Sequence, residues 1–275
     1  MIDSTDALIS LALWEDIGHR DVTTDILIDE CAIGSATILA KENFLLAGLE
    51  VFTRVFYHVD KRVAVQAILQ DGDEVAAGST VARVTGPVRA LLSGERTALN
   101  FLQRLSGVAT LVRQVTDSVR QYPARIVDTR KTTPGWRQLE KDAVRIGGAR
   151  NHRCGLYDGV LIKDNHIRAA GDITTAVSRA REQAPFTLKI EVEVESLAQL
   201  EEALASRADI IMLDNMSLDD MREAVKRVNG RAIIEASGGI TPENVEDVAR
   251  TGVDVISMGM LTSAPRAVDI SMELD

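Results

Sequence analysis

The sequence predicts an α/β protein in two parts, a compact α+β region followed by parallel βαβ units of barrel type. Three observations carry this. From about residue 124, short apolar runs end in polar residues or glycine: ARIVDTRK, GVLIKDN, LKIEVEVES, ADIIMLDN, RAIIEASGG and VDVISMGM. Helical patterns (LAQLEEALASR, LDDMREAVKRV, PENVEDVARTG) separate the later runs, as covering helices separate buried parallel strands. Before residue 87 the texture is different, with β-like pieces around Gly-rich turns.

In chain order, MIDSTDALISLALWEDIG has no basic leader. Acids interrupt its apolar residues at helical spacing, so it reads as an amphipathic helix rather than a signal peptide. GSATILAKENFLLAG and QDGDEVAAGSTVARVTG hold strands broken by Gly and Asp-Gly turns, with the helix LEVFTRVFYHV between them. PVRALLSGERTALNFLQRL predicts a long helix opened by Pro87. The barrel-type units follow. In the fifth, EASGGITPENV, Thr241 and Pro242 suit the N-cap and first turn of a helix whose N-terminus would receive phosphate.

Composition excludes several function classes. The chain of 275 residues carries a net charge of -10 and only 4% aromatic residues, which opposes nucleic-acid binding by phosphate contact or base stacking. No stretch approaches a membrane span, and Cys31 and Cys154 are too few for a disulfide framework. A reducing cytoplasm is the expected location. Against this acidic background, residues 125 to 153 hold eight Arg and Lys and three acids. A cationic island of that kind suits a small anionic ligand in a focused field.

The strand ends sharpen this. In βα barrels functional groups gather at the C-terminal ends of strands. Here those ends carry Asp128, Arg130 and Lys131, then Lys163, Glu191 and Glu193, Asp214, Glu235 and Ser237, and Gly259. His152 and Arg153 add an anion-contacting pair, although a histidine can equally be a structural hydrogen-bonder. Glu191, Glu193 and Glu195 alternate on IEVEVES and share a face, suiting a hard metal, ribose hydroxyls or a solvent-facing edge strand. Glu193 with Asp214 makes a hydroxyl-binding or Mg²⁺ pair. Cys154 lacks the oriented base of a nucleophile, and HRD at 19 to 21 lacks every companion motif of a kinase.

These segments together resemble the quinolinate phosphoribosyltransferase family, also called decarboxylating nicotinate-nucleotide pyrophosphorylases. ALWEDIGHRDVTTD, LSGERTALNFLQRLSGVAT, DTRKTTPGWR, NHRCGLYD, LIKDNHI, EVEVES, IIMLDN, EASGG and TGVDVISMG carry the resemblance over nearly the whole chain. It implies an N-terminal α/β sandwich (residues 1–106, with 263–275 packing back on it). An incomplete seven-stranded α/β barrel (107–262) of the type II phosphoribosyltransferase class would follow. It implies transfer of phosphoribosyl from 5-phosphoribosyl-1-pyrophosphate to quinolinate with loss of CO₂, in NAD biosynthesis. By motif, Arg130, His152, Arg153 and Lys163 hold quinolinate, with Arg96 reaching in from the other subunit of a homodimer or a hexamer. Thr129, Lys131, Glu193, Asp214, Ser237, Gly238, Gly239, Ser257 and Gly259 hold phosphoribosyl pyrophosphate. Its Mg²⁺ lies near Glu193 and Asp214, and the catalytic set is Lys131, Lys163, Glu193 and Asp214. Neither nucleic acid nor membrane is an expected partner. The competing expectations are a molybdenum-transport-associated paralogue and a non-catalytic anion-binding relative. PGWR and GGA stand where PGLR and GGG are usual, which sets Trp136 and Ala149 apart.

Overall fold

The computed structural model describes residues 4–275, so the first three positions of the expected N-terminal helix lie outside the described residues. In chain order the elements begin α1 (Ser4–Ile17), α2 (Val22–Leu27), β1 (Ile33–Ala40), β2 (Phe44–Leu45), α3 (Leu49–Val59), β3 (Ala64–Ala67), β4 (Glu74–Val75), β5 (Thr80–Pro87) and α4 (Val88–Ser118). They continue with β6 (Arg125–Val127), α5 (Arg137–Ile146), β7 (Val160–Ile162), α6 (Asp164–Ala170), α7 (Ile173–Gln183), β8 (Ile190–Val194), α8 (Leu197–Ala205) and β9 (Ile210–Asp214). The last are α9 (Leu218–Val228), β10 (Ile233–Ser237), α10 (Val245–Ala249), β11 (Val255–Ser257), α11 (Met260–Ser263) and β12 (Ile270–Leu274).

Contacts divide the chain into two compact units. The first comprises residues 1–113, 132–148 and 261–275, the second 114–131 and 149–260. The first unit thus takes in the C-terminal segment, as expected, and also residues 107–113 and 132–148, for identifiable reasons. α4 runs unbroken past residue 106. Trp136, ahead of α5, stacks on Phe101 of α4 with ring centroids 4.5 Å apart. Arg104 of α4 donates to the fully buried Glu140 of α5 at 3.2 Å and to the Thr262 carbonyl at 2.6 Å.

The first unit is built on an antiparallel sheet in the order β12-β1-β5-β3, beside the two-stranded β2-β4 ladder. The C-terminal strand β12 closes it by pairing Ala40 with Ile270 through Ala36 with Leu274. α3 packs Phe52 and Phe56, both fully buried, edge to face at 5.2 Å. α1 departs from the amphipathic expectation. Ile9 is buried, but Leu11 and Trp14 are 60% and 70% exposed, so its apolar residues occupy more than one face.

The second unit is a parallel sheet in the order β6-β11-β10-β9-β8-β7. All six predicted strands are present. The last strand returns to pair with the first, Ile256 beside Ile126, which is barrel winding rather than an open, doubly wound sheet. Between β6 and β7, where a seventh strand would fall, stands one isolated bridge from Val127 to Arg150. β8 lies between β7 and β9, so IEVEVES is an interior strand and the edge-strand alternative is overturned. α10 starts three residues later than Thr241–Pro242 suggests. Pro242 begins a turn, and five residues of helix offer no real helix-terminus anion site.

Gly107, inside α4, tests the packing of the first unit. A Cβ there would stand 2.0 Å from the Arg266 carbonyl oxygen. Gly107→Ala gains about 1 kcal/mol of helix propensity, while forcing apart two backbone segments costs about 3 kcal/mol. A net loss of about 2 kcal/mol is expected in urea unfolding. An unchanged midpoint would show that the two segments do not meet.

Candidate active site

The second unit gathers the chemistry-bearing side chains at the C-terminal ends of its strands. Asp128, directly after β6, has 0% exposure and organises the open side of the barrel. Its Oδ2 accepts from Asn151 Nδ2 at 2.6 Å and its Oδ1 from the His152 N–H at 2.8 Å. Arg150 donates to the Ile126 carbonyl at 3.0 Å and accepts from Asp128 N–H at 3.2 Å. The segment bearing His152 and Arg153 is thereby fixed beside the strand bearing Thr129, Arg130 and Lys131.

Four groupings follow. The Arg153 guanidinium is held below its ordinary value by burial first and then by the nearby charge of Arg130, so two cations share one neighbourhood. Lys163, directly after β7, is ion-paired with Glu193 of β8. Lys131 lies across Gly259, where an added Cβ would come within 2.7 Å of its Cδ and 3.4 Å of Thr129 Oγ1. Asp214, ending β9, accepts from Asn215 Nδ2 at 2.9 Å, and Asn215 N–H donates to the Ser237 carbonyl at 2.9 Å. Gly238 and Gly239 both have positive φ, 88° and 63°, turning the chain after β10 in a way that favours glycine.

Beneath these lies a buried cluster. His152 Nε2 is 3.1 Å from a Glu191 oxygen and 3.5 Å from a Glu235 oxygen, and both glutamates are under 5% exposed. Glu235 Oε1 is buried with no hydrogen-bond partner among the described residues. One nitrogen and two carboxylates within 4.8 Å form a donor set that a divalent cation accepts. The ring argues against that use. Its Nδ1 accepts the Arg153 N–H at 2.8 Å, so the proton of the neutral ring sits on Nε2, facing the carboxylates.

Burial disfavours a charged ring, yet the hydrogen bonds to Glu191 and then Glu235 outweigh it and push His152 up to about 10. Burial also raises Glu191; the His152 hydrogen bond pulls it back and the Glu235 charge raises it again. A proton therefore persists in the cluster above neutral pH. When the ring carries it, Nδ1 must release the Arg153 N–H, because it then holds a hydrogen of its own.

The parallel topology sets Thr129, Arg130, Lys131, Lys163, Glu193, Asp214, Ser237, Gly238, Gly239 and Gly259 at or just beyond the C-terminal ends of their strands, with the His152–Arg153 segment tied to β6 through Asp128. Two expected residues stand differently. Ser257 is 3% exposed and turns its hydroxyl to the Ala236 carbonyl at 3.5 Å, so that side chain belongs to the sheet. Arg96 is exposed on α4, in the first unit. Glu195 lies beyond β8 and is exposed, apart from Glu191 and Glu193. Asn151 and Asn215 escaped sequence reasoning; the available signal was a short amide directly after a strand-end segment. A depression of about 620 Å³ opens at the opposite strand ends, lined by Lys189, Arg207, Asp209, Arg231 and Asp254 among others. Asp209 and Asp254 accept the Ile190 and Ile234 N–H groups there, which is sheet-fastening work.

The Glu–His–Glu cluster yields a pH expectation. With the folded value above the ordinary 6.5, the stabilisation is complete below pH 6.5 and lost as pH rises through about 10. In a ¹⁵N NMR titration His152 should remain protonated near pH ~8, and Glu235→Gln should lower its midpoint by about one unit. A wild-type midpoint at the ordinary histidine value would remove the carboxylates as its cause.

Comparison with known proteins gives a consistent result. Residues 21–106 match the family model "Quinolinate phosphoribosyl transferase, N-terminal domain", and residues 108–273 match its C-terminal domain. A protein of Synechocystis sp. named "Probable nicotinate-nucleotide pyrophosphorylase (carboxylating)" is 46% identical over 95% of this chain and 90% of its own. The "Quinolinate phosphoribosyltransferase (decarboxylating) 1" of Nicotiana glauca is 42% identical over 98% of this chain and 81% of its own. The solved nicotinate-nucleotide pyrophosphorylase of Francisella tularensis superposes with a TM-score of 0.95 at 39% identity, covering 99% of this chain and 96% of that one.

Proposed function

The chain belongs to the quinolinate phosphoribosyltransferase family, and on that premise we propose how its own residues carry out the family's reaction. That reaction joins quinolinate to 5-phosphoribosyl-1-pyrophosphate and gives nicotinate mononucleotide, pyrophosphate and CO₂ within NAD biosynthesis. One observation supports this reading above the others. Arg130 and Arg153 lie close enough for the charge of one to depress the other, and the same strand ends carry Lys131, Asp214 and the Lys163–Glu193 ion pair. Clustered guanidiniums repel one another, and a dicarboxylate arriving between them relieves that repulsion.

In this assignment Arg130 and Arg153 grip the two quinolinate carboxylates, and His152 completes the pocket from above its buried glutamates. Lys131 and Lys163 face the pyrophosphate, whose departure leaves positive charge on the ribose carbon. Glu193 and Asp214 stabilise that charge and accept from ribose hydroxyls. The turn at Ser237–Gly239 and the flat approach at Gly259 receive the 5-phosphate. Positioning and charge stabilisation are the whole of the protein's task in this transfer. The pyridine nitrogen becomes cationic as its bond to ribose forms. Its positive charge then stabilises the electron pair left on the adjacent carbon when the carbon–carboxylate bond breaks, and that pair takes a proton as CO₂ departs.

Glu193 and Asp214 supply oxygen donors alone, the set Mg²⁺ prefers, and Lys163 already offsets Glu193. The cation would therefore arrive on phosphoribosyl pyrophosphate, with Asp214 nearest to it, and neutralise the leaving pyrophosphate. Among the described residues no helix is long and apolar enough to cross a membrane, and phosphorylated small-molecule substrates fit a cytoplasmic location.

We assign the exposed Arg96 to the active site of a second copy. The exposed Leu11 and Trp14 of α1 and Ile26 and Leu27 of α2, each at least 60% exposed, supply the apolar surface that a homodimer would cover. Two tests follow. Arg130→Ala should lower quinolinate-dependent CO₂ release about 100-fold with stability changed by under about 0.5 kcal/mol. Near-normal catalysis would refute the carboxylate assignment. Mixing inactive Arg96→Ala and Arg130→Ala proteins should restore about a quarter of wild-type activity, because each hybrid dimer regains one intact site. No recovery after refolding the mixture would mean that Arg96 serves its own chain.

A further inference from the structure

We propose that Asn215 is a positioning residue for phosphoribosyl pyrophosphate, holding the Asp214 carboxylate and the Gly238 turn in one fixed relation. The inference rests on the function proposed above and adds a residue to it. Asn215 occupies the junction of two strand ends. Its backbone N–H reaches across to the Ser237 carbonyl at 2.9 Å, tying the end of β9 to the end of β10. Its side-chain amide donates to Asp214 Oδ2 at 2.9 Å, which leaves that carboxylate one preferred orientation. The same amide lies over Gly238, where an added Cβ would stand 2.4 Å from Asn215 Oδ1 and 2.5 Å from Cγ. One side chain thus touches both the acid assigned to the ribose and the glycine turn assigned to the 5-phosphate.

The backbone supports a dedicated role. Asn215 has φ 53°, and asparagine is among the few side chains that accept this left-handed conformation at modest cost. Gly238, opposite, has φ 88°. The two left-handed residues face each other across adjacent parallel strands, and the glycine has no side chain because the amide fills that space. The amide NH₂ donates to Asp214, and both Oδ1 and Nδ2 stand against Gly238, 2.4 and 2.8 Å from where a Cβ would be.

A turn-forming asparagine with no further role makes a different prediction, and glycine separates the two. Asn215→Gly keeps the left-handed backbone and deletes the amide. Losing one hydrogen bond to a carboxylate should raise KM for phosphoribosyl pyrophosphate about tenfold. KM for quinolinate should stay within about twofold, and the thermal midpoint within a few degrees. Asn215→Asp, of equal shape but with a carboxylate facing Asp214, should weaken phosphoribosyl pyrophosphate further. An Asn215→Gly enzyme with an unaltered KM for phosphoribosyl pyrophosphate would overturn the proposal, as would equal rises for both substrates. Should wild-type protein release no CO₂ from the two substrates, the reaction itself is wrong. Calorimetric titration of phosphoribosyl pyrophosphate into wild type and Asn215→Gly then still decides, since equal affinities overturn the positioning role and a selective loss upholds it.

Discussion

The buried carboxylate of Asp128 is the constraint on which the second unit's chemistry rests. This parallel barrel lacks one full strand, and a single backbone bridge from Val127 to Arg150 stands in the gap beside the cationic segment. Two hydrogen bonds to a charged acceptor, each contributing about 1.5 to 3 kcal/mol, replace what a ladder would supply. They hold Asn151 and His152 against β6. With the Arg150 bridge, they keep the His152–Arg153 segment beside the strand end that carries Arg130. The acid is nevertheless absent from the ring of groups facing a ligand.

A second theme is how the site tolerates its own charges. Lys163 has an acid in reach, and Arg153 feels the charge of Arg130 together with the acids Glu191 and Asp158. The acids divide similarly: Glu193 and Asp214 lie toward the strand ends, while Glu191 and Glu235 are sunk under His152. Alternation along β8 does not separate Glu191 from Glu193 by face. Depth along the strand does, since the deeper residue meets the histidine and the shallower one the lysine.

What the sequence made legible followed from periodicity. Six apolar runs became six strands, and LEVFTRVFYHV is α3 to the residue. The ring of strand-end charges could be drawn before any coordinates, because a βα barrel puts those positions on one face. Pairings across the chain were not legible. Nothing in PGWR announces that Trp136 stacks on Phe101, or that α5 thereby joins the first unit. Nor does LDN announce that its asparagine covers a glycine 23 residues later, Asn215 over Gly238. A period reports which face a residue occupies; it is silent on what stands opposite. Ser257 shows the same blind spot, since a strand-end hydroxyl can turn inward to a neighbouring carbonyl.

The two tryptophans give this chain a built-in optical division of labour. Trp14 stands in solvent on α1, while Trp136 is stacked against a phenylalanine five residues beyond Lys131. Their emission should differ in colour and in access to a dissolved quencher. Self-association that covers α1 would shield the first without disturbing the second. Loosening of the stretch ahead of α5 from α4 would register in the second. Assembly and the internal packing of the first unit could therefore be followed separately in one cuvette, with no label attached.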